Sequence, residues 1–265
     1  MAVLRSKRKI AQTEFENTFM KLYQFSMRHT TAVPKRRKKW LCRNIDERMN
    51  LIYKDIMAMN DCYNPDATQK AKYIADLNEA CIHRLVELEK PLMVLWNVQS
   101  AETKHMAAWV ELLNREIFLL NLMRESKVSV PEMAILDWRA VNSVKFLKNM
   151  SELHRYTHSK VTNANMDYDA TQGSLLIELV NDAFYYLILA NKKIPTTRKQ
   201  YENRRDNISR SISCLKALNR EMLFYFNLMQ YSERVMNEWT SMLTQEIKML
   251  SALQKSDRER FESLK

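Results

Sequence analysis

Glycine is almost missing from this sequence: one residue in 265, Gly173, is a glycine, and five are prolines. Hairpins and the loops of parallel sheets use glycine at turn positions that need a positive φ, so a β architecture has little room in this chain. Residues that favour helices, such as Met, Leu, Lys, Arg and Glu, are plentiful instead. The composition therefore predicts an all-α protein.

Cysteine pairs and long apolar runs are also lacking. The longest apolar run covers 183–190, well short of the roughly twenty residues that a membrane-spanning helix needs. The basic N-terminal segment lacks the apolar stretch of a signal peptide. The four cysteines stand far apart, which predicts reduced, buried thiols at Cys42, Cys62, Cys81 and Cys214. We therefore expect a cytoplasmic protein that makes no membrane contact.

The residues of an active site or a metal centre do not come together in the sequence. His154 and His158 lie four positions apart on a predicted helix, as paired metal ligands do, but Glu152 is the one further ligand nearby. A single glycine cannot build a Gly-rich phosphate loop, and the carboxylates are expected on helix surfaces. We predict a non-enzymatic protein with no metal and no other cofactor.

Apolar residues recur every three or four positions in eight successive stripes, the pattern of helices that bury one face. Four stripes precede the turn-like segment Lys127–Pro131 and four follow it, which predicts two domains, 1–127 and 131–265. Thr13 has a capping-box partner three residues on and predicts the start of the first helix. Pro91 predicts a kink or an early stop in the third helix.

The second half of the sequence repeats the first. Trp109 aligns with Trp239 at an offset of 130 residues, and Asn50 aligns with Asn181 at an offset of 131. Any two amphipathic helices can be aligned at their Leu and Ile positions, but matched Trp and Asn residues at nearly one offset indicate a duplication. Short connections make consecutive helices antiparallel neighbours, so we predict two tandem up-down-up-down four-helix bundles. Further pairs at the offset of 130 are Pro65 with Pro195 and Glu116 with Glu246.

The chain is strongly basic, with a formal net charge of +11 and a pI near 9.4. A basic protein binds acidic partners, of which nucleic acid is the commonest, although a basic run can also be a solvated, solubilising face. No base-reading motif is present, so we expect phosphate contacts with weak sequence specificity. Spacings of six and seven residues are expected to bring Arg198, Arg204 and Arg205 to one side of a helix. The clustered cations predicted to bind nucleic acid are Arg5, Lys7, Arg8, Lys9, Lys35, Arg36, Arg37, Lys38, Lys39, Arg43, Arg198, Lys199, Arg204 and Arg205.

Residues 12–125 resemble a known family through three short features. These are Leu22-Tyr23 in an aromatic-rich first helix, a Pro34-Lys-Arg-Arg-Lys38 turn before the second helix, and Lys90-Pro91 at the end of the third. The family is the accessory variability determinant (Avd) of bacterial and phage diversity-generating retroelements, within the wider group of rRNA intervening-sequence-type four-helix-bundle proteins. The resemblance extends to the rest of the chain through the internal repeat.

The resemblance implies a non-enzymatic, basic oligomer, encoded by a bacterium or a phage, that binds a reverse transcriptase and its template RNA or cDNA during mutagenic cDNA synthesis. It assigns polyanion or reverse-transcriptase contact to Lys35–Lys39 and Arg43. The chain departs from the family in carrying two bundles, and its Val161–Gly173 connection contains Asp167 and Asp169 in place of a basic turn. The two copies are therefore expected to divide nucleic-acid binding and protein binding. The alternative function is a helical protein–protein adaptor that does not bind nucleic acid.

Overall fold

The structure, a computed structural model, describes most of the chain. The described residues are 2–35, 38, 41–61, 68–99, 103–124, 141, 143–162, 169–229 and 231–264. Side chains are described for the same residues except 2–13, 60–61, 68–70, 103–104, 124, 169–172 and 228.

Every regular element in these described residues is an α-helix, which confirms the predicted all-α class. The chain forms two compact units, Met1–Ile135 and Leu136–Lys265. The division between the units and the predicted domain boundary both fall in 125–140, outside the described residues. The first unit contains α1 (Ala2–Thr31), α2 (Arg43–Asp61), α3 (Thr68–Val86), α4 (Glu89–Gln99) and α5 (Thr103–Arg124). The second unit contains α6 (Lys145–Thr162), α7 (Asp169–Asn191), α8 (Arg198–Met229) and α9 (Glu233–Arg260).

The first unit is built on a closed ring of four helices. α1 packs against α2 and α5, and α3 packs against the same two helices. The predicted apolar stripes form the core, in which Phe19, Ile52, Leu85 and Trp109 are all buried. These neighbour relations are compatible with a four-helix bundle, and the predicted up-down-up-down bundle stays a prediction.

The first helix begins earlier than predicted. α1 starts at Ala2, so Thr13 lies inside the helix and the prediction of a helix start there is wrong. Residues 2–12 contain neither glycine nor proline, so no helix breaker stands before Thr13. The N-terminal basic residues consequently belong to a helix rather than to a tail.

The third predicted helix is divided in two near Pro91. α3 ends at Val86 and α4 begins at Glu89. Between them the amide of Leu88 donates to the carbonyl oxygen of Leu85 at 3.2 Å, a tighter turn than that of an α-helix. Pro91 is the third residue of α4, where its missing amide hydrogen costs no bond within the helix. The predicted stop in this helix is therefore confirmed.

The second unit forms a similar ring, in which α7 and α8 approach each other closely. α6 packs against α7 and α9, and α8 packs against the same two helices. Ser211 of α8 is fully buried, and its Oγ donates to the carbonyl oxygen of Ala183 in α7 at 2.8 Å. Because both residues are small, the backbone of α7 lies within hydrogen-bonding reach of a side chain on α8.

Equivalent positions of the two units make equivalent contacts. In the first unit the hydroxyl of Tyr23 donates to Asn50 Oδ1 at 2.8 Å. In the second unit the residue 131 positions after Tyr23 is His154, and its Nε2 lies 2.9 Å from Oδ1 of Asn181. The buried tryptophans repeat too, because each meets an aromatic ring of the first helix of its unit edge-on. The ring centroids of Phe25 and Trp109 are 5.7 Å apart, and those of Tyr156 and Trp239 are 6.1 Å apart. These shared contacts support the predicted duplication at the level of packing.

One helix of the second unit is long and apolar enough to cross a membrane. The stretch Gly173–Asn191 of α7 has a mean hydropathy of 1.4, and half of its residues are buried in the unit. Core helices of soluble proteins have the same composition, so the stretch is weak evidence for a span. The sequence prediction considered only the uninterrupted run 183–190, which is shorter than this helical segment.

Candidate nucleic-acid interface

The basic residues predicted in the first unit are described only in part. Arg5, Lys7, Arg8 and Lys9 lie in α1, but their side chains are outside the described residues, as are Arg36, Arg37 and Lys39. After Pro34 the chain turns helically, because the amide of Lys38 donates to the carbonyl oxygen of Pro34 at 3.0 Å. Lys35 is exposed and Lys38 is half-buried. Among the described side chains of 35–39, Lys35 is therefore the one exposed cation.

Arg43, at the start of α2, is exposed but already carries a partner. Its Nε donates to Oε1 of Glu47 at 2.7 Å, an ion pair between side chains one turn apart. Both side chains are more than half exposed, so solvent and salt screen the attraction and the pair stabilises the helix little. A phosphate that binds Arg43 has to compete with a carboxylate that is held on the same helix.

The cations predicted at the start of α8 divide into exposed and buried residues. Arg198, Lys199 and Arg205 are exposed. Arg198 donates to Glu202 Oε1 at 3.1 Å, whereas an Nη of Arg205 lies 3.7 Å from the carboxylate of Asp206.

Arg204 does not share the exposed side of α8, so that part of the prediction is wrong. Its side chain is only 11% exposed, its Nε donates to Oδ2 of Asp257 in α9 at 2.5 Å, and its Nη1 donates to the carbonyl oxygen of Ala190 in α7 at 2.7 Å. The reason is helical geometry: six residues rotate by about 600°, which leaves Arg204 roughly 120° away from Arg198, whereas seven residues bring Arg205 almost back into line. Arg204 is therefore a structural cation that joins three helices.

The Arg204–Asp257 pair also marks where three helix ends meet. The segments that meet at this end of the second unit are the end of α7, the turn 192–197, the first residues of α8 and the last turn of α9. Sequence reasoning did not single out the cations in the turn or in α9, because their proximity to the start of α8 arises only from packing. We call the exposed cations gathered there the basic end: Lys192, Lys193, Arg198, Lys199, Arg258 and Arg260. In the described segments 192–202 and 258–264, the acidic residues are half as many as these cations: Glu202, Glu259 and Glu262.

Two arginines of the basic end rest on aromatic rings. The guanidinium carbon of Arg198 lies 5.5 Å from the ring centroid of Tyr201, and that of Arg260 lies 5.3 Å from the ring centroid of Phe261. Tyr201 and Phe261 are themselves buried, with centroids 5.8 Å apart, and they join α8 to the end of α9. The aromatic pair therefore supports two guanidinium groups, each with a modest attraction to its own ring.

The turn that leads into the basic end is fixed by side-chain caps. The amide of Gln200 donates to Thr197 Oγ1 at 3.3 Å, and Gln200 Oε1 accepts from the amide of Thr196 at 2.8 Å. This exchange satisfies amides at the start of α8 that have no partner within the helix. Pro195 is buried in the same turn. Lys193 and Lys199, on either side of the turn, are consequently held by an ordered backbone.

The histidine pair of α6 is a buried polar contact of the core. His154 and His158 are almost completely buried, and Nε2 of each ring lies within 2.9 Å of Asn181 Oδ1. Burial, followed by the neighbouring His158, lowers the pKa of His154 well below its usual value. The described residues contain no group of three His, Cys, Asp or Glu side chains that could hold a metal ion. The pair can therefore orient α6 against α7.

Two glutamates contradict the expectation that carboxylates lie on helix surfaces. Glu116 of α5 and Glu246 of α9 are completely buried, and their carboxylate oxygens have no hydrogen-bond partner among the described residues. Burial raises the pKa of Glu116 to about 9 and that of Glu246 to about 8. The sequence did contain a signal, because each glutamate lies within the apolar stripe of its helix and the two are exactly 130 residues apart. Both carboxyl groups are therefore mainly neutral near neutral pH.

Comparison of this chain with protein-family models, with curated proteins and with solved structures finds no match. The candidate interface consequently depends on the geometry and charge of this chain alone.

Proposed function

We propose that this protein binds the phosphate backbone of nucleic acid through the basic end and acts as a non-enzymatic accessory factor. The observation that carries the proposal is the placement of Arg198 and Arg260 on the buried Tyr201–Phe261 pair. Guanidinium groups form paired hydrogen bonds with phosphate oxygens. A guanidinium that is already held in place loses less conformational freedom when it binds than a free surface arginine does.

The balance of charge at the basic end supports an anionic partner. Its six cations outnumber the acidic residues of the described segments 192–202 and 258–264 by two to one, and the first residues of α8 add the partial positive charge of a helix N-terminus. A polyanion that binds there releases its condensed counterions, which makes affinity depend strongly on salt. Tyr201 and Phe261 are buried, so they cannot stack on bases, and contacts at this end fall on phosphates.

The partners follow from the resemblance stated for residues 12–125. It implies a template RNA, its cDNA and a reverse transcriptase, in the cytoplasm of a bacterium or a phage-infected cell, with the protein as an oligomer. Lys35 and Arg43 then form a second basic surface in the first unit, where Arg43 exchanges Glu47 for a phosphate. The basic end supplies the second unit with a cationic surface that the 161–173 connection does not provide.

The test is binding of the full chain to a labelled structured RNA at rising salt. Lys199→Gln combined with Arg260→Gln removes two cations of the basic end, and Lys148→Gln is a control, because Lys148 is exposed on α6, which lies across the ring from α8. We expect the double variant to lower the slope of log affinity against log salt by roughly two and the control to leave it unchanged. An unchanged slope in the double variant contradicts the proposal.

The second candidate function is a protein–protein adaptor, and one observation favours it. Phe118 and Leu122, one turn apart on α5, are 52% and 48% exposed, and exposed apolar pairs of this kind often mark binding sites for proteins. An absence of RNA binding at low salt favours the adaptor over the accessory factor.

A further inference from the structure

We infer that the outer face of α8 guides a single-stranded nucleic acid from the basic end to Phe224, which stacks on an unpaired base. This inference rests on the proposed function, and it names the partner of the same site as single-stranded RNA or DNA. It depends on a row of exposed cations along α8 and on an exposed aromatic side chain where that row ends.

The cations continue along α8 well past its first turn. The exposed cations of the row are Lys199, Arg205, Arg210, Lys216 and Arg220. At about 100° per residue they fall within an arc of roughly 140°, and at about 1.5 Å per residue they span about 32 Å. One strand of a nucleic acid carries roughly nine phosphates over that length at duplex spacing. The row is therefore long enough to contact several successive nucleotides.

The carboxylates on this face are engaged locally. Glu202 accepts from Arg198, and Asp206 lies 3.7 Å from Arg205. Lys199, Lys216 and Arg220 have no ion-pair partner among the described side chains. The free charge of the row is therefore positive, which matches a phosphate backbone rather than a protein surface of mixed charge.

Arg210 repeats the arrangement found at the basic end. Its guanidinium carbon lies 5.6 Å from the ring centroid of Tyr186 on α7. Three guanidinium groups of the second unit, at Arg198, Arg210 and Arg260, are thus positioned over aromatic rings. The row along α8 therefore contains one cation positioned over a ring, Arg210 in its middle, and it begins beside another, Arg198.

The row ends at two exposed apolar residues. Leu223 is 51% exposed and Phe224 is 56% exposed, and Phe224 follows Arg220 by one turn. The positions 130 residues earlier are Met93 and Val94 in α4, and both are buried. The exposed aromatic side chain is therefore a property of the second unit and not of the repeat in general.

When Arg220 binds the phosphate of a nucleotide, the ring of Phe224 lies close enough to stack on the base of that nucleotide. Stacking on an aromatic side chain tolerates any base, and it requires a base that is not paired inside a duplex. A duplex can bind the cationic row, but it cannot offer a base face to Phe224. Single strands are therefore expected to bind more tightly than duplexes of the same sequence.

The test compares one labelled strand, alone and annealed to its complement, by fluorescence anisotropy with the full chain. Phe224→Ala removes the ring, Phe224→Tyr keeps it, and Leu223→Ala is the matched apolar control. We expect Phe224→Ala to weaken single-strand binding about tenfold and to leave duplex binding unchanged. Phe224→Tyr and Leu223→Ala are expected to bind both forms as the wild type does. Circular dichroism spectra of the variants show whether the helices remain intact.

The outcomes separate this inference from the proposed function. In one outcome, Phe224→Ala binds the single strand as tightly as the wild type, while the double variant Arg210→Gln with Arg220→Gln binds both the single strand and the duplex more weakly. That result overturns the stacking inference and leaves the phosphate contact in place. If Phe224→Ala disrupts self-association in sedimentation and leaves single-strand affinity unchanged, the face belongs to a second copy of the chain. If the wild type binds neither form at low salt, the proposed function fails as well.

Discussion

Replacing the buried carboxyl of Glu116 with an amide should stabilise the protein at pH values well above the ordinary pKa of a carboxyl group and have little effect near that pKa. Glu116 is completely buried without a hydrogen-bond partner among the described residues, and burial raises its pKa from 4.5 to about 9. Between these two values the folded chain keeps a proton that the unfolded chain has released. The stabilising effect of that proton is complete below the unfolded pKa and is lost as pH rises toward the folded pKa.

The size of the effect follows from the width of this window. Each pH unit inside it lowers the free energy of unfolding by roughly 1.4 kcal/mol, so raising the pH from about 5 to about 8 costs about 4 kcal/mol. This is a large share of the roughly 5–15 kcal/mol that stabilise a typical domain. Gln has the shape of a protonated Glu and does not ionise, so Glu116→Gln should remove this part of the pH dependence.

The assay is urea unfolding followed by far-ultraviolet circular dichroism, at about pH 5 and about pH 8. We expect Glu116→Gln to unfold like the wild type at the lower pH and to be more stable by about 4 kcal/mol at the higher pH. Glu111→Gln is the control, because Glu111 is exposed on the same helix. A gain of equal size at both pH values would refute the reasoning, since the pKa of this carboxyl group would then be the same in the folded and the unfolded chain.

Three further substitutions test contacts of the second unit by urea unfolding. Arg204→Met leaves Asp257 as an unpaired buried charge and should destabilise the protein by about 3–5 kcal/mol; adding Asp257→Leu should restore most of the loss, and additive losses would contradict this. Ser211→Val places a larger side chain against Ala183 and should lower the free energy of unfolding by about 1–3 kcal/mol. Unchanged stability would mean that α7 and α8 are not closely packed at this point. Asn181→Leu removes the shared acceptor of two buried histidines and should cost about 1–3 kcal/mol at neutral pH, and an unaltered midpoint would show that the histidines do not depend on it.

The sequence predicts the helices well because their signal is local. The apolar stripe through Trp109 and Leu113 identifies a buried helix face, and both residues are buried. The near absence of glycine predicts the all-α class for the same reason, since turn geometry depends on neighbouring residues alone. The break near Pro91 is equally local, because the ring of proline acts on its own turn.

The candidate site could be predicted only in part, because it depends on which helix ends meet. Arg198 and Lys199 were predicted from their clustering, but Arg258 and Arg260 lie more than fifty residues later and reach the same end through packing. Arg204 is as basic as its neighbours in the sequence, and its partner Asp257 can be identified only once α8 and α9 are placed side by side. The sequence shows where the charged residues lie along the chain, whereas tertiary contacts decide which of their side chains remain exposed.

The contact between Tyr201 and Phe261 makes the order of the last turn of α9 a condition for the proposed binding of phosphate. Arg258 and Arg260 contribute to the basic end only while that turn stays folded against the start of α8. An anion that bridges Arg198 and Arg260 therefore binds the ordered turn and not the frayed one, and it shifts the equilibrium between them by mass action. An anion bound to this surface should consequently protect residues 258–264 from proteases and slow the exchange of their amide hydrogens. The rates of proteolysis and exchange in this segment would then report whether the partner is bound.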